Sequence, residues 1–188
     1  MTKREASAEG TVFAALLRGI NVGGKNRIPM PELRELFGGL GHEDVVSYVQ
    51  SGNVVFRSSE PDPAAVSGAL ETAVGERFGI SVSVLLRTHR ELGTTAAGNP
   101  FLDHGTETSR LHVLFLSAPP ASAAVETLDE NRSPGDEFAV SGSTIYLSFP
   151  NGSGRTKLTL DYFERRLGLV GTARNWNTLL KLVELTRG

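Results

Sequence analysis

Ser51-Gly52-Asn53-Val54-Val55-Phe56 and Ser141-Gly142-Ser143-Thr144-Ile145-Tyr146 spell one pattern twice in a single chain. Each pairs a glycine, which takes positive φ without steric cost, with a following run of β-formers. That is the composition of a tight hairpin turn feeding a strand. Six residues can agree by chance, so the weight falls on what surrounds them. Residues 44–50 and 54–57 read as two strands about the first turn, and 137–140 and 144–149 as two strands about the second.

Outward from the first hairpin, residues 11–17 read as a strand. Residues 31–40 read as a helix opened by Pro31 and closed by Gly38, Gly39 and Gly41. After the hairpin come a helix over 63–78, with Val66, Leu70, Ala73 and Val74 at helical spacing, and a strand over 82–86. The order is βαββαβ. A helical stretch near 88–97 and the breaker Gly98-Asn99-Pro100 follow. The same order then returns as a strand over 111–116, a helix over 120–128, the second hairpin, a helix over 158–167 and a short strand over 169–173. The shared order argues for duplication. It predicts an α+β fold of tandem βαββαβ (ferredoxin-like) halves plus a C-terminal helix. The expected division is a loose tail over 1–10, a first half over 11–87, a connector over 88–109, and a second half with the C-terminal helix over 110–188.

Both faces of the first strand are apolar, Phe13, Ala15 and Leu17 on one side and Val12, Ala14 and Leu16 on the other. The strand at 111–116 repeats this with Leu111, Val113 and Phe115 opposite Leu114 and Leu116. In a sheet covered by helices on one face only, the second face must find a cover. The economical covers are the other half or a second copy of the chain, so a monomer or a homodimer is expected. Trp176, Leu179, Leu180 and Val183 offer a helical stripe as a further lid.

The run Arg18-Gly19-Ile20-Asn21-Val22-Gly23-Gly24-Lys25-Asn26, continued by Ile28-Pro29-Met30 and the first hairpin, resembles the N-terminal signature of a bacterial family catalogued as domain of unknown function 1697. Lys157-Leu158-Thr159, Thr172-Ala173-Arg174-Asn175-Trp176-Asn177-Thr178 and Lys181-Leu182 resemble that family's closing motif. The resemblance spans nearly the whole chain. It implies a two-part fold of ferredoxin-like halves and no known activity. The chain departs from the family pattern at Asp161-Tyr162, where a small polar and a small apolar residue are more usual.

Composition narrows the chemistry. Of 188 residues none is cysteine, which excludes thiolate catalysis, iron–sulfur clusters and cysteine-ligated zinc. Nineteen Lys and Arg against 21 Asp and Glu give a formal charge of −2 with a pI near 6.1, so no general attraction to nucleic acid or acidic lipid is expected. The apolar run 12–17 is far short of a bilayer span, and a cytoplasmic location is the default. The four histidines, His42, His89, His104 and His112, lack metal-ligand spacing, and no cofactor signature is present.

Gly19-Ile20-Asn21-Val22-Gly23-Gly24-Lys25 satisfies the G-x-x-x-x-G-K spacing of a phosphate-cradling loop. However, Asn26 replaces the magnesium-binding Ser or Thr, and Pro29 and Pro31 block a helix directly after the lysine. A looser anion site built on backbone N–H groups and the cations Arg18, Lys25 and Arg27 remains open, beside the plain reading of a glycine turn with solvated charges. Asn151-Gly152-Ser153-Gly154-Arg155-Thr156-Lys157 precedes a helix and reads either as an anion loop or as a basic surface loop. In Arg174-Asn175-Trp176-Asn177, Asn175 reads as an N-cap and Trp176 as a core anchor, leaving Arg174 and Asn177 without a structural reason.

The function that follows is binding of a small anionic ligand, phosphate- or carboxylate-bearing, in a cleft between the halves. The expected contacts are Arg18, Asn21, Gly23, Gly24, Lys25, Arg155, Lys157, Arg174 and Asn177. No general base can be named, so enzymatic activity is left open. The alternative is an RNA-binding or protein-interaction module. An RNA platform of this element order needs exposed aromatics, and residues 51–57 offer only Phe56.

Overall fold

In the computed structural model residues 10–187 are described, so the expected tail lies outside the described residues except for Gly10. Among them the chain forms β1 (Thr11–Leu17), α1 (Met30–Gly39), β2 (Glu43–Tyr48), β3 (Asn53–Ser58), α2 (Pro63–Phe78), β4 (Val84–Thr88) and α3 (His89–Ala97). The second series is β5 (Leu111–Leu116), α4 (Ser122–Val125), β6 (Glu137–Ser141), β7 (Thr144–Ser148), α5 (Leu160–Leu167), β8 (Gly171–Asn175) and α6 (Trp176–Leu185). The strands make two antiparallel sheets ordered β2-β3-β1-β4 and β6-β7-β5-β8. The two orders are the same, and the fold is the tandem ferredoxin-like α+β arrangement that the duplicated hairpin implies. The chain divides into a first unit ending at His89 and a second unit, Arg90–Arg187.

In the first unit Phe13, Ala15 and Leu17 of β1 pack with Leu33, Phe37, Val66, Leu70 and Val74 of α1 and α2. In the second, Leu114, Leu116, Ile145 and Leu147 pack with Tyr162, Phe163 and Leu167 of α5. Burial continues on the opposite faces, where Ala14, Leu16, Val113 and Phe115 are at most 0% exposed. Within the second unit that face meets α6, which packs on β5 and β8 and brings Trp176 to 6.5 Å from the Tyr146 ring. The Tyr146 hydroxyl donates to the Thr95 carbonyl of α3 at 3.0 Å. Asn175 caps α6 by accepting from the Asn177 N–H at 2.9 Å, as its position predicts.

Among the boundaries that differ from the sequence reading, three have a local reason. β4 and β8 begin at Val84 and Gly171, two residues after the expected starts. In both units a glutamate of the preceding helix takes the strand's first N–H: Glu71 from Val84 and Glu164 from Gly171, each at 2.8 Å. The helix expected over 120–128 is confined to Ser122–Val125. The Thr127 hydroxyl donates to the Ala124 carbonyl at 2.7 Å, and the Thr127 and Leu128 N–H groups reach back only three residues, so the helix tightens and stops.

The register aligns the repeats residue by residue. Leu17 faces Val84 and Leu116 faces Gly171, so Ala14 opposite Arg87 matches Val113 opposite Arg174. In both repeats a helix follows the fourth strand without a break, α3 after Thr88 and α6 after Asn175. Leu92 and Leu179 fall at the same offset in these helices, and both are 0% exposed. The repeat is therefore βαββαβα in element order, and the helix read as a connector, which belongs to the second unit, is the first repeat's counterpart of the C-terminal helix.

Both hairpin glycines have positive φ, +80° at Gly52 and +54° at Gly142. Their surroundings differ. A Cβ on Gly52 would lie 2.8 Å from Ile20 Cγ1 and 3.0 Å from the Leu17 carbonyl oxygen, whereas one on Gly142 meets nothing within 4 Å. We therefore expect Gly52→Ala to destabilise by about 3 kcal/mol, from conformational strain and overpacking together, and Gly142→Ala by about 1 kcal/mol. Denaturant unfolding of the two variants checks the difference; equal losses would show that the close approach at Gly52 is not felt.

His42 sits 4.6 Å from the Phe56 ring with its Nε2 unpartnered, and His112 sits 5.2 Å from Phe149 with its Nδ1 unpartnered. Burial lowers both imidazole pKa values, with a smaller opposing effect on His112 from a backbone hydrogen bond at Arg110. A group whose folded pKa is depressed contributes stability fully above its unfolded pKa and loses it as pH falls toward the folded value. Stability should thus decline below about pH 6.5. A His42→Leu, His112→Leu variant should show a flatter profile there in pH-dependent denaturation.

Candidate functional site

The segment between β1 and α1 is built on left-handed backbone. Asn21 and Asn26 have φ of 53° and 49°, and Gly23 and Gly24 between them have 59° and 76°. Val22 and Lys25 form a bridge, closed by the Lys25 N–H to the Val22 carbonyl at 3.1 Å, so the glycines occupy a mirror-image hairpin turn. The Asn21 N–H donates to the Asn26 carbonyl at 3.1 Å, and Asn26 Nδ2 donates to the Gly19 carbonyl at 3.1 Å. The G-x-x-x-x-G-K spacing thus closes a small hairpin and not a helix-entry phosphate loop.

Asn21 ties this loop to the rest of the unit. Its Oδ1 accepts from the Ile28 N–H at 2.8 Å, and its Nδ2 donates to the carbonyls of Ile28 at 3.0 Å and Gln50 at 2.8 Å. Asn21, named in the sequence reading as a ligand contact, therefore has its amide engaged in joining the loop to the β2–β3 turn. That turn carries Val49 at φ 51°, a β-branched residue in the left-handed region. Of the four described non-glycine residues with positive φ, Asn21, Asn26 and Val49 belong to these two joined segments; the fourth is Asp44.

Between the two segments lies a cavity of about 420 Å³ lined by Asn21, Gly24, Arg27, Ile28, Pro29 and Gln50. It opens beside the start of α1, where Pro29 is the N-cap and offers no side-chain hydrogen bond. Free N–H groups at a helix start favour negative charge. No carboxylate lines the cavity. Among the described residues, neither Lys25 nor Arg27 has an ion-pair partner within 4.0 Å. The Arg27 guanidinium lies toward Gly24, 3.8 Å from where a Cβ on that glycine would stand.

The other expected contacts fall as follows. Arg18 is half-buried and donates its N–H to the Ser83 carbonyl at 2.9 Å; it does not line the cavity. Gly23 and Lys25 sit in the turn beside the cavity, outside its lining. In the second unit Arg155 ends an exposed single turn, Ser153–Arg155. The Lys157 backbone is fixed, with its N–H on Ser133 Oγ at 3.1 Å and its carbonyl accepting from Arg132 Nε at 2.8 Å. Arg174 is 7% exposed and donates to Thr172 Oγ1 at 2.7 Å and the Ala173 carbonyl at 2.8 Å. Burial lowers its pKa to about 10, leaving it a cation at neutral pH. Arg87, at the matching register position, donates to the Leu86 carbonyl at 2.8 Å in the same way. Asn177 is exposed and gives its N–H to the cap. Gln50 went unread in the sequence because it precedes the hairpin turn and carries no motif; only the Asn21 tether brings it to the cavity.

Phe56, the aromatic that an RNA platform would need, is 0% exposed and packs at 5.0 Å from Phe37 and 6.0 Å from Phe13. Among the described residues no three His, Cys, Asp or Glu side chains gather as a metal site, and no helix is long and apolar enough to cross a membrane.

The description Protein of unknown function (DUF1697) belongs to the family model that matches residues 11–146 of this chain. The chain belongs to the DUF1697 family. The match takes in the β1–α1 loop and both hairpins and ends before the closing motif at 157–182. A solved structure, the conserved bacterial protein SP0830 from Streptococcus pneumoniae, is similar with a TM-score of 0.69 and 28% identity. The similarity covers 94% of this chain and 99% of that one. No curated protein matches the chain.

The Asn21 geometry makes a direct prediction. Asn21→Gly keeps the φ but loses the amide bonds, and should cost about 2 kcal/mol; Asn21→Ala adds left-handed strain and should cost about 1 kcal/mol more. Val49→Gly should be neutral or stabilising despite the added chain entropy, because it relieves strain. Chemical denaturation of the three variants checks the series, and a destabilised Val49→Gly would show that no strain is held there.

Proposed function

We propose that this protein binds a small anionic ligand, phosphate- or carboxylate-bearing, at the cavity between the β1–α1 loop and the β2–β3 turn. The observation that carries the reading is a cavity of about 420 Å³ whose lining holds Arg27, the Gly24 backbone and Gln50 and no carboxylate. Its volume falls in the range of about 300–1,000 Å³ common for small-ligand sites. A cation without a carboxylate partner, left-handed glycine N–H groups and an uncapped helix start each favour negative charge at one place. The side-chain amide of Gln50 supplies a donor and an acceptor for the remainder of the ligand. The ligand would be a cytoplasmic metabolite.

A thermal-shift screen of nucleotides, sugar phosphates and carboxylates tests the reading. A ligand at 100 times its Kd should stabilise the chain by about 2.7 kcal/mol. Lys25→Ala with Arg27→Ala should remove that gain while leaving the unliganded stability within about 0.5 kcal/mol, since both side chains are exposed. A ligand whose stabilisation survives in that variant binds elsewhere and sinks the assignment.

A further inference from the structure

The second unit carries another group of cations, which neither the cavity nor the fold requires. The Arg132 guanidinium lies over the Tyr162 ring at 4.1 Å, and Arg166 approaches the same ring at 5.9 Å. Arg132 Nε donates to the Lys157 carbonyl at 2.8 Å, which brings the backbone at Lys157 beside the stack. We propose that Arg132, Lys157 and Arg166 form a second anion site, one that takes a phosphate group.

The loop between α4 and β6 is organised around Arg132. The Asp129 N–H donates to the Tyr162 hydroxyl at 2.7 Å, and Asp129 Oδ1 accepts from the Asn131 N–H at 2.9 Å. The Ser133 hydroxyl, in a residue 7% exposed, donates to Asp136 Oδ2 at 2.6 Å and accepts from the Lys157 N–H. These bonds fix both ends of Arg132, and the ring beneath it fixes the plane of the guanidinium. Holding an arginine flat costs rotamer entropy, and stacking on the buried Tyr162 ring offsets part of that cost.

The charge on this group is not met from within the chain. Among the described residues no carboxylate comes within 4.0 Å of Arg132, Lys157 or Arg166. Asp136 is taken by Ser133, and Asp161 pairs with Arg165 at 3.7 Å. With Nε occupied, the two terminal nitrogens of Arg132 form a fork, the geometry that holds two oxygens of one oxyanion. The nearby Lys157 and Arg166 add charge, which favours a doubly charged oxyanion over a single carboxylate. Tyr162 makes the arrangement possible. A small residue at this position would leave Arg132 without its ring.

The test is a titration with inorganic phosphate, read at the Arg132 Nε–H resonance by heteronuclear NMR. It is run in the chain carrying Lys25→Ala and Arg27→Ala, so that the first-unit cavity contributes nothing and the two proposals fail separately. The resonance should move saturably with phosphate, and roughly tenfold more weakly with acetate at equal ionic strength. Lys157→Ala and Arg166→Ala remove exposed side chains only, and each should weaken phosphate binding at least about threefold with an unchanged backbone spectrum. Arg132→Lys, followed through the Tyr162 ring signals, should weaken it roughly tenfold because the fork is lost. A resonance that follows sodium chloride as well as it follows phosphate overturns the site, as does one indifferent to Lys157→Ala and Arg166→Ala.

Discussion

The central strand of each sheet is apolar on both sides, and that single constraint shapes the molecule. A ferredoxin-like βαββαβ unit covers one face of its sheet with its two helices, which suffices only if the other face is polar. Here Val113 and Phe115 are as fully buried as Leu116 on the opposite side. The chain answers with a seventh element. A helix leaves the fourth strand directly in each repeat, and in the second unit α6 lays Trp176, Leu179 and Leu182 into the core. The first repeat's equivalent, α3, buries Leu92 and Thr95 at the matching positions, and its Thr95 carbonyl receives the Tyr146 hydroxyl. In the second unit, covering the outer face with α6 lets β5 keep Leu, Val and Phe on both sides.

That logic explains what the sequence made legible. Strands apolar on both faces, glycine-marked hairpins and proline-started helices are local signals, and they placed β1, β3, α2, β5 and β7 within about two residues, the usual scatter of element ends. Partners distant in sequence were not legible. The starts of β4 and β8 depend on Glu71 and Glu164, carboxylates on other elements. The equivalence of α3 and α6 was hidden because HRELGTTAA and WNTLLKLVEL share a buried leucine and little else. Of the candidate site, the glycines and cations of the β1–α1 loop stood out by composition. Gln50 and Arg132 did not, since each gains its place only through Asn21 in one case and Tyr162 in the other.

Asn21 shows how fold and site share one residue. An asparagine tolerates left-handed backbone better than most residues and carries an amide that completes backbone hydrogen bonds. Here it does both, holding φ 53° while its side chain spans from Ile28 to Gln50. The result is a rigid rim about the cavity, made of backbone that would relax if the tether were cut. Preorganisation of this kind lowers the ordering cost of binding, which is where a shallow site gains affinity.

Lys25 and Arg27 in the first repeat and Arg132 and Lys157 in the second stand on connections at opposite ends of the same scaffold. In the first, the β1–α1 connection runs from 18 to 29, long enough for a hairpin of its own, and it meets the β2–β3 turn at the hairpin end of the sheet. In the second, the corresponding connection is only 117–121 and contains Pro119 and Pro120, so no cradle forms there. The length has moved to 126–136 and 149–159, the connections at the other end, and those carry Arg132 and Lys157. The central strands and buried helices kept a common register because every shift would turn apolar side chains out of the core. The connections were free of that constraint, and duplication could therefore yield two different surfaces from one unit without disturbing what holds it together.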